Sequence, residues 1–454
     1  MRISLGILLL LVQNMYANPR LPEIFSDGMV VQRNSNLKIW GWGTPKEPIK
    51  VSVSWSDTTA ETVVNSFAYW EVRIPVPDKR GSQTINIKGY SERILKDVLI
   101  GEVWLCSGQS NMEMTFDWGE MHANEVANDQ NNNIRFFTVE KAAADVPQQQ
   151  IPGKWEAIAP ETIRSKSATA YFFTKRLQAQ LGNVPIGVIV SAWGGTPLEV
   201  WAPKSAVDQS EVLRNSAANL KPSDYCPHQA SVVYNTMIHP MVGFPVAGVL
   251  WYQGESNVGN DTYASMLKAF FDSWRQAWKA DFQVYIVQLA PYNYDGDVQY
   301  GTALREQQRL FCEQYSGAHL AVISDAGDAA DIHPRDKKTV GERLATLALV
   351  NHYKRLDKSF NNPIIRNVRW EKKGIVLEFD PIFNFVQKTG TAFFEVADAA
   401  GNFVKVPVKV SKNTLVISCK FAPTALRYGW QDEASATIFT SQGMPLSGFS
   451  LKKS

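Results

Sequence analysis

The sequence predicts an α/β protein: a mainly parallel β-sheet with helices on both faces, between an N-terminal β-sandwich and a C-terminal β-rich region. Three observations support this fold class. Apolar strands alternate with helical stretches over residues 98–362, which is the pattern of a parallel sheet with helical crossovers. Short strands of alternating apolar and polar residues, separated by turn-rich pieces, occupy residues 18–97 and 363–454. A chain of 454 residues is also too long for one ordinary core.

Residues 1–17 are predicted to be a signal peptide. Arg2 provides a positive charge, residues 5–12 form an apolar stretch, and Ala17 is a small residue at a suitable cleavage position. The apolar stretch is too short to span a bilayer as a permanent helix. We therefore expect an exported protein, periplasmic or secreted, whose mature chain has no membrane span.

The secondary structure follows from the spacing of apolar residues. The N-terminal region has alternating strands at 37–42, 49–55, 70–76 and 83–88, and the C-terminal region has them at 375–379, 392–396, 404–410 and 414–418. Between them, strands are predicted at 98–106, 184–192, 246–252, 282–289 and 319–324, and helices at 161–181, 262–280, 302–315 and 337–353. The irregular stretch 200–245 is too long for a simple connector, and we expect it to line a pocket.

Charge and cysteine usage exclude several classes of partner. The formal net charge is +2, so nothing indicates nucleic acid or an acidic membrane surface as the ligand. The four cysteines lie far apart and include no Cys-x-x-Cys pair, which argues against a zinc site. Cys106 and Cys312 fall within apolar patterns, where free buried thiols are common, so no obligatory disulfide is expected. We expect neither a metal nor another cofactor.

Four polar motifs follow predicted strands of the central sheet. They are Gly108-Gln-Ser-Asn, Trp193-Gly-Gly-Thr-Pro, Trp251-Tyr-Gln-Gly-Glu-Ser-Asn and a loop from Asp325 to Pro334 that contains Asp-Ile-His-Pro. One such motif is ordinary turn chemistry. Ligands of open parallel sheets bind at the carboxyl ends of the strands, and four motifs at those ends predict a functional site.

The residue types indicate nucleophilic catalysis. Ser110 lies between a strand and a helix start, where its side chain is accessible and helix N–H groups are free. Its base is predicted to be His333, because no other histidine lies in a strand-end loop beside close carboxylates. Three groups remain candidates for orienting that histidine: Asp331, which is closest in sequence, Asp328, or a backbone carbonyl.

Oxyanion and substrate contacts are predicted from the same motifs. The candidate oxyanion donors are the backbone N–H groups of Ser110 and of Gly194 or Gly195, and the side-chain amide of Gln253 or Asn257. Aromatic side chains stack on sugar rings, so Trp193, Trp201 and Tyr252 are candidates for a sugar-facing wall, and core positions are the equal alternative for each. Arg305 is expected to be an exposed helix arginine, with contact to an acidic sugar as the alternative. The remaining substrate-site candidates are Gln109, Glu199 and Glu255, the last also as a buried residue that braces the site.

At these motifs the chain resembles the sialate O-acetylesterase family, one branch of the SGNH hydrolases. The four motifs occur in the family's order, and the stretches beginning at Leu21, Leu426 and Gly443 are similar to its two ends. The resemblance implies an SGNH, flavodoxin-like three-layer α/β/α domain that removes O-acetyl groups from sugars without a metal. It also implies Ser110 as nucleophile, His333 as base with Asp331 as its partner, and Gly195 and Gln253 in the oxyanion hole. Where a lipase-type Gly-x-Ser-x-Gly elbow has its second glycine, this chain has Met112.

Three functions are compatible with these observations. The first is an esterase acting on O-acetylated sialic acid, so the expected partner is an O-acetylated sugar. The second is a deacetylase of acetylated xylan or another polysaccharide. The third is a carbohydrate-binding protein without catalysis, which the presence of both Ser110 and His333 argues against. The oligomeric state is not predicted by the sequence.

Overall fold

The structure is a computed structural model that describes residues 19–294, 299–387 and 393–453. The predicted signal peptide, residues 1–17, lies outside the described residues. Within the described ranges, no helix combines the length and the apolar character needed to cross a membrane.

The N-terminal region forms two small sheets from alternating strands. The strand β5 (Tyr69–Val76) shows the alternation of buried and exposed side chains clearly: every second residue from Trp70 to Val76 is buried, and the residues between them are exposed. One sheet pairs β2 with β5, and the other pairs β3 with β4 and β6. The six strands are β1 (Val30–Gln32), β2 (Ser35–Trp42), β3 (Pro48–Val53), β4 (Ser56–Val63), β5 (Tyr69–Val76) and β6 (Gln83–Lys88).

One long strand connects this region to the central sheet. The strand β7 (Glu92–Gly108) has 17 residues. Its first half pairs antiparallel with β6, and its second half lies at the centre of the parallel sheet. The predicted boundary between residues 97 and 98 therefore falls inside a continuous strand.

Six further strands join β7 in the central sheet: β8 (Asn131–Thr138), β9 (Trp155–Ile158), β10 (Ile186–Ala192), β11 (Gly248–Tyr252), β12 (Gln283–Val287) and β13 (Ala318–Ala321). The order of the strands is β13-β12-β11-β7-β10-β8-β9, with β8 and β9 antiparallel and every other neighbouring pair parallel. The helices are α1 (Ser110–Glu113), α2 (Ala123–Val126), α3 (Pro160–Ile163), α4 (Ala168–Gln180), α5 (Lys204–Gln209), α6 (Glu211–Ala218), α7 (Tyr263–Trp278), α8 (Tyr300–Gln314) and α9 (Lys337–Asn351).

Helices cover both faces of this sheet, as the fold class predicts. On one face α4 and α9 pack together, and Phe173 and Leu344 join Trp104 in one core. On the other face α7 and α8 lie over a second core, in which Phe270 and Trp274 contact Trp251. Burying each aromatic side chain contributes roughly 1.5–3 kcal/mol of transfer free energy. The three-layer α/β/α arrangement is therefore confirmed.

The C-terminal region is an antiparallel sheet of order β14-β15-β19-β18-β17-β20-β22, beside the pair β16–β21. Buried Arg305 of α8 joins this region to the central domain, because its guanidinium donates to the carbonyls of Gln431 and Asp432. The expectation that Arg305 is exposed was wrong. The strands are β14 (Ile364–Glu371), β15 (Gly374–Asp380), β16 (Phe385–Gln387), β17 (Phe393–Ala397), β18 (Phe403–Ser411), β19 (Thr414–Ser418), β20 (Ala425–Tyr428), β21 (Ile438–Thr440) and β22 (Phe449–Lys452).

Candidate active site

The site lies where three central strands end level with one another. In the strand register, Ala192 at the end of β10 and Tyr252 at the end of β11 both pair with Gly108 at the end of β7. The chain leaves β7 towards β8 and β10 on one side and later forms β11 on the other. Such a switch of direction opens a crevice at the carboxyl ends of the strands, which is where ligands bind in open α/β sheets.

A tight backbone turn presents Ser110 at this edge. Gly108 has a φ of +136°, and a Cβ atom there would lie 2.1 Å from the Tyr252 carbonyl oxygen, so only glycine fits. Gln109 is extended, and Ser110 is the first residue of α1. The serine N–H therefore belongs to the first turn of a helix, where N–H groups have no intrahelical acceptor.

His333 reaches Ser110 from a loop 223 residues later in the chain. Its Nε2 lies 2.9 Å from the serine Oγ, which is hydrogen-bond distance. Burial lowers the pKa of His333, the nearby Lys337 cation lowers it further, and Asp331 acts in the opposite direction. The structure thus brings the predicted nucleophile and the predicted base together, with the base favoured in its neutral form.

Asp331 lies beside the histidine but outside hydrogen-bond distance of its ring. The distance from its Oδ1 to His333 Nδ1 is 3.9 Å, while the same oxygen accepts the His333 backbone N–H at 2.9 Å. Asp328, the alternative partner, shapes the turn instead: its carboxylate accepts the Ala330 N–H and its carbonyl accepts the Asp331 N–H. The geometry is that of a close Ser–His pair with a looser carboxylate.

The backbone N–H groups of Ser110 and Gly195 have no acceptor among the described residues, so both remain candidates for holding an oxyanion. Gly194 does not serve, which corrects one prediction: its N–H already donates to Glu113 Oε2 at 2.6 Å, and Glu113 is also paired with Lys141. Gly194 instead packs on Ser110, since a Cβ atom there would lie 3.3 Å from the serine Cβ.

The predicted amide donors of the oxyanion hole are wrong. Gln253 Nε2 donates to Asn257 Oδ1 at 2.7 Å and to the Thr196 carbonyl at 3.3 Å, and its Oε1 accepts the Tyr263 hydroxyl. Asn257 Nδ2 donates to Glu199 Oε2 at 3.0 Å. Glu199 Oε1 also accepts the Ser216 hydroxyl, so both oxygens of this predicted substrate contact are already bound by protein groups. Gln253, Asn257 and Glu199 form a polar network that supports the 193–196 turn from behind.

Two of the predicted wall aromatics belong to the core. Trp201 and Tyr252 are both fully buried. Trp201 Nε1 donates to Thr196 Oγ1 at 2.9 Å, and its ring packs edge-on against Trp251. Tyr252 follows Trp251 in β11, a central strand that is covered on both faces. The side chains of Trp251 and Tyr252 are therefore both buried in the cores. The predicted substrate contacts of Trp201 and Tyr252 are therefore wrong.

Trp193 and Gln109 remain candidates for contact with substrate. Trp193 is partly exposed and lies beneath Lys141, whose Nζ is 5.9 Å from the ring centroid. Gln109 Oε1 accepts the N–H groups of Gly254 and Ser256, which fixes the amide orientation. Both hydrogen bonds that the Gln109 side chain makes with described residues use this oxygen and leave Nε2 without an acceptor.

The 200–245 stretch folds over Gly195. A Cβ atom on Gly195, whose φ is +78°, would lie 2.5 Å from the Tyr225 ring and 2.9 Å from Cys226 Sγ. His228 Nε2 lies 3.3 Å from the Gly195 carbonyl oxygen. The Tyr225 side chain is 76% exposed, so it stands at the rim of the site. Sequence reasoning did not single out Tyr225 or His228, because irregular stretches carry no periodic signal.

Behind Ser110, the side chains of Asn111, Glu255 and Lys337 are hydrogen-bonded to one another. Of these three, only Glu255 was predicted from the sequence. Asn111 Nδ2 donates to Glu255 Oε1, and Lys337 Nζ donates to Asn111 Oδ1, each at 2.6 Å. Burial raises the pKa of Glu255. Glu255 is therefore placed to brace the site, and its contact with substrate stays a prediction. Lys337 gave no sequence signal, because a lysine at a helix start is ordinarily exposed.

The described residues contain no group of three or more His, Cys, Asp or Glu side chains that is arranged to hold a metal ion. All four cysteines are free.

Comparison with known proteins agrees with this geometry. The family model described as "Carbohydrate esterase, sialic acid-specific acetylesterase" matches residues 100–349. The sialate O-acetylesterase of Homo sapiens is 29% identical over 469 residues, covering 90% of this chain and 87% of that protein. The Mus musculus protein of the same name is 28% identical over 532 residues, covering 98% and 97%. A crystal structure of a novel carbohydrate acetylesterase from Xanthomonas citri superposes with a TM-score of 0.87 at 29% identity, covering 96% of this chain and 100% of that one.

The fold, the site and these similarities define a carbohydrate esterase. More specifically, the chain belongs to the sialic acid-specific acetylesterase family, because the family model covers more than half of it.

Proposed function

We propose that this protein removes O-acetyl groups from sugars through an acetyl-enzyme on Ser110, with His333 as general base. The 2.9 Å contact between Ser110 Oγ and His333 Nε2 carries the proposal. Ser110 Oγ attacks the acetyl carbonyl carbon while its proton passes to Nε2. The N–H groups of Ser110 and Gly195, with Gln109 Nε2, stabilise the oxyanion that forms on the carbonyl oxygen.

The tetrahedral intermediate then breaks the bond to the sugar oxygen. His333 gives its proton to that oxygen, so the sugar leaves as an alcohol and the acetyl group remains on Ser110. In the second half, His333 takes a proton from water, the resulting hydroxide attacks the acetyl carbon, and Ser110 Oγ leaves with the proton. The products are one deacetylated sugar and one acetate.

O-acetylated sialic acid is the substrate that we propose. The family description and the names of the two mammalian relatives support it, and so does an exposed cation beside the dyad. Arg335 Nε lies 3.5 Å from Asp331 Oδ2, and its side chain is 65% exposed. Sialic acid carries a carboxylate, and a planar guanidinium suits carboxylates in particular. Acetylated xylan is neutral and is the alternative substrate.

The test compares acetate release from O-acetylated sialic acid and from acetylated xylan, using the wild type and Ser110→Ala. Release from the sialic acid that is lost in Ser110→Ala supports the proposal. Release mainly from xylan keeps the mechanism and changes the substrate. No release from either, with small acetyl esters also untouched, contradicts the catalytic proposal. Mass spectrometry of rapidly quenched enzyme should detect an acetyl group on the peptide that contains Ser110.

Export is part of the same proposal. Its support is the composition of residues 1–17, with Arg2 ahead of an apolar stretch. N-terminal sequencing of the protein from its native cell should begin near Asn18. A mature protein that still begins at Met1 would contradict export through cleavage.

A further inference from the structure

Lys337 is a buried cation directly behind the catalytic pair. It is the first residue of α9 and is fully buried, whereas its neighbour Lys338 is partly exposed and pairs with Glu125. A lone ammonium group is costly to bury, so its contacts have to compensate. Its Nζ donates to Asn111 Oδ1 at 2.6 Å and lies 5.5 Å from the centroid of the Tyr252 ring.

Asn111 links Lys337 to the segments that carry Ser110 and His333. The residue directly follows Ser110 in α1. Its Nδ2 donates to the carbonyl of Ile332, the residue before His333, at 3.1 Å, and to Glu255 Oε1 at 2.6 Å. One side chain therefore joins the serine turn, the histidine loop and the loop after β11. Lys337 fixes the orientation of that amide, because an ammonium group only donates and so requires the oxygen of Asn111.

Four carboxyl groups face Lys337 from the surrounding elements: those of Glu255, Asp331, Glu120 and Asp336. Burial lowers the pKa of Lys337 to about 7, and these carboxyl groups act in the opposite direction. Glu255 Oε2 and Glu120 Oε1 are buried and have no hydrogen-bond partner among the described residues. The cation is thus held in an acidic, poorly hydrated setting, in which its field is weakly screened.

We propose that Lys337 is a positioning residue for the Ser110–His333 pair: through Asn111 its ammonium group keeps the serine turn and the histidine loop in register, and its charge keeps the imidazole neutral. This inference rests on the proposed function, since it assumes that His333 acts as the base. It assigns Lys337 no contact with substrate.

The sign of the electrostatic effect follows from the charges. A general base must be neutral, so activity is lost as the pH falls through the pKa of His333. Burial and then the Lys337 cation lower that pKa, which extends activity to more acidic conditions. Lys337, with its own pKa of about 7, is charged over the acidic range in which His333 titrates. Removing the charge should raise the pKa of His333 and move the acid limb of the profile to higher pH.

The experiment measures kcat and kcat/KM against pH with 4-nitrophenyl acetate for the wild type, Lys337→Met, Lys337→Gln and the control Lys338→Met. Both neutral variants should move the acid limb of kcat/KM up by about 0.5–1 pH unit. Lys337→Met should also lower the plateau kcat by roughly tenfold or more, because misplacing reacting groups is costly. Lys337→Gln keeps a donor for Asn111 and should lose less. Lys338→Met should match the wild type.

Circular dichroism melts identify which variants are folded, and Lys337→Gln is the milder substitution if Lys337→Met does not fold. An unchanged acid limb and plateau in a folded Lys337 variant would overturn the inference. The same holds if Lys338→Met shifts the limb equally. Failure of the proposed function looks different: the wild type would then show no hydrolysis that depends on Ser110 at any pH.

Discussion

Asp331 Oδ1 lies 3.9 Å from His333 Nδ1 and only 2.9 Å from the His333 backbone nitrogen, whose N–H it accepts. The carboxylate therefore holds the histidine main chain more firmly than the histidine ring. In a tight triad the carboxylate fixes the imidazole tautomer, and removing its charge costs about 10⁴-fold in kcat. Here the closer ring contact is the one between His333 Nε2 and Ser110 Oγ.

Asp331→Asn should consequently cost about tenfold or less in kcat at neutral pH, because asparagine still accepts the His333 backbone N–H. Since Asp331 raises the pKa of His333, the variant should also move the acid limb of kcat/KM to lower pH. Steady-state kinetics with 4-nitrophenyl acetate, with Asp328→Asn as control, measures both effects. A loss of a thousandfold would mean that Asp331 closes on the ring during turnover.

Gly195→Ala should reduce kcat strongly. Its φ of +78° disfavours any side chain, and a Cβ atom would lie 2.5 Å from the Tyr225 ring and 2.9 Å from Cys226 Sγ, so these neighbours or the turn that carries the proposed oxyanion donor have to move. Losing one such donor costs about 10²–10³-fold. Gly182→Ala is the matched control, because its φ is +71° but its Cβ would meet nothing within 4 Å. Gly195→Ala should lose more thermal stability than Gly182→Ala, because only its Cβ meets close neighbours, and equal kcat values would contradict the assignment.

Tyr225→Ala should raise KM for an acetylated sugar and leave 4-nitrophenyl acetate hydrolysis nearly unchanged. The exposed ring stands over Gly195, where it would contact the sugar rather than the acetyl group. Phe67→Ala is the control, since Phe67 is an exposed aromatic of the N-terminal region. Unchanged KM for the sugar would show that the 200–245 stretch does not form the substrate wall through this residue.

Arg335→Met should weaken binding of acidic substrates selectively. If Arg335 binds the sialic acid carboxylate, KM for O-acetylated sialic acid should rise about tenfold or more, while KM for a neutral acetylated sugar should stay close to that of the wild type. Arg369→Met removes a similarly exposed arginine from the C-terminal region and serves as control. Equal increases of KM for the acidic and neutral sugars would count against carboxylate recognition.

Much of the fold follows from the sequence because the central strands are buried on both faces. Continuous apolar runs therefore predict β10 and β11 within two residues of their observed ends. The strands β8 and β9 were not predicted, since β8 begins with three asparagines and β9 has only four residues. The helix predicted at 161–181 is two helices, because Ser167 caps the second one by accepting the Ala170 N–H.

The site could be predicted only as far as backbone position determines it. Ser110 lies two residues beyond the end of β7 and His333 lies in the loop between β13 and α9, so sheet topology brings both to the same edge. The direction of a side chain is a different matter: Trp201 and Tyr252 adjoin polar motifs but point into the cores. The hydrogen-bond partner of Lys337, Asn111, lies 226 residues away in the chain, and a single sequence does not encode such a pairing in any local pattern.

The continuity of β7 has a consequence for how the molecule unfolds and how it can be shortened. The match to the family begins at residue 100, which lies midway along that strand. Trimming the chain there would remove Gln32, whose Oε1 accepts the Val103 N–H at 2.8 Å, and Arg33, whose guanidinium pairs with Glu102. We therefore expect the N-terminal sheets and the esterase core to unfold as one cooperative unit, so the smallest independently stable enzyme should extend beyond the region that the family model matches.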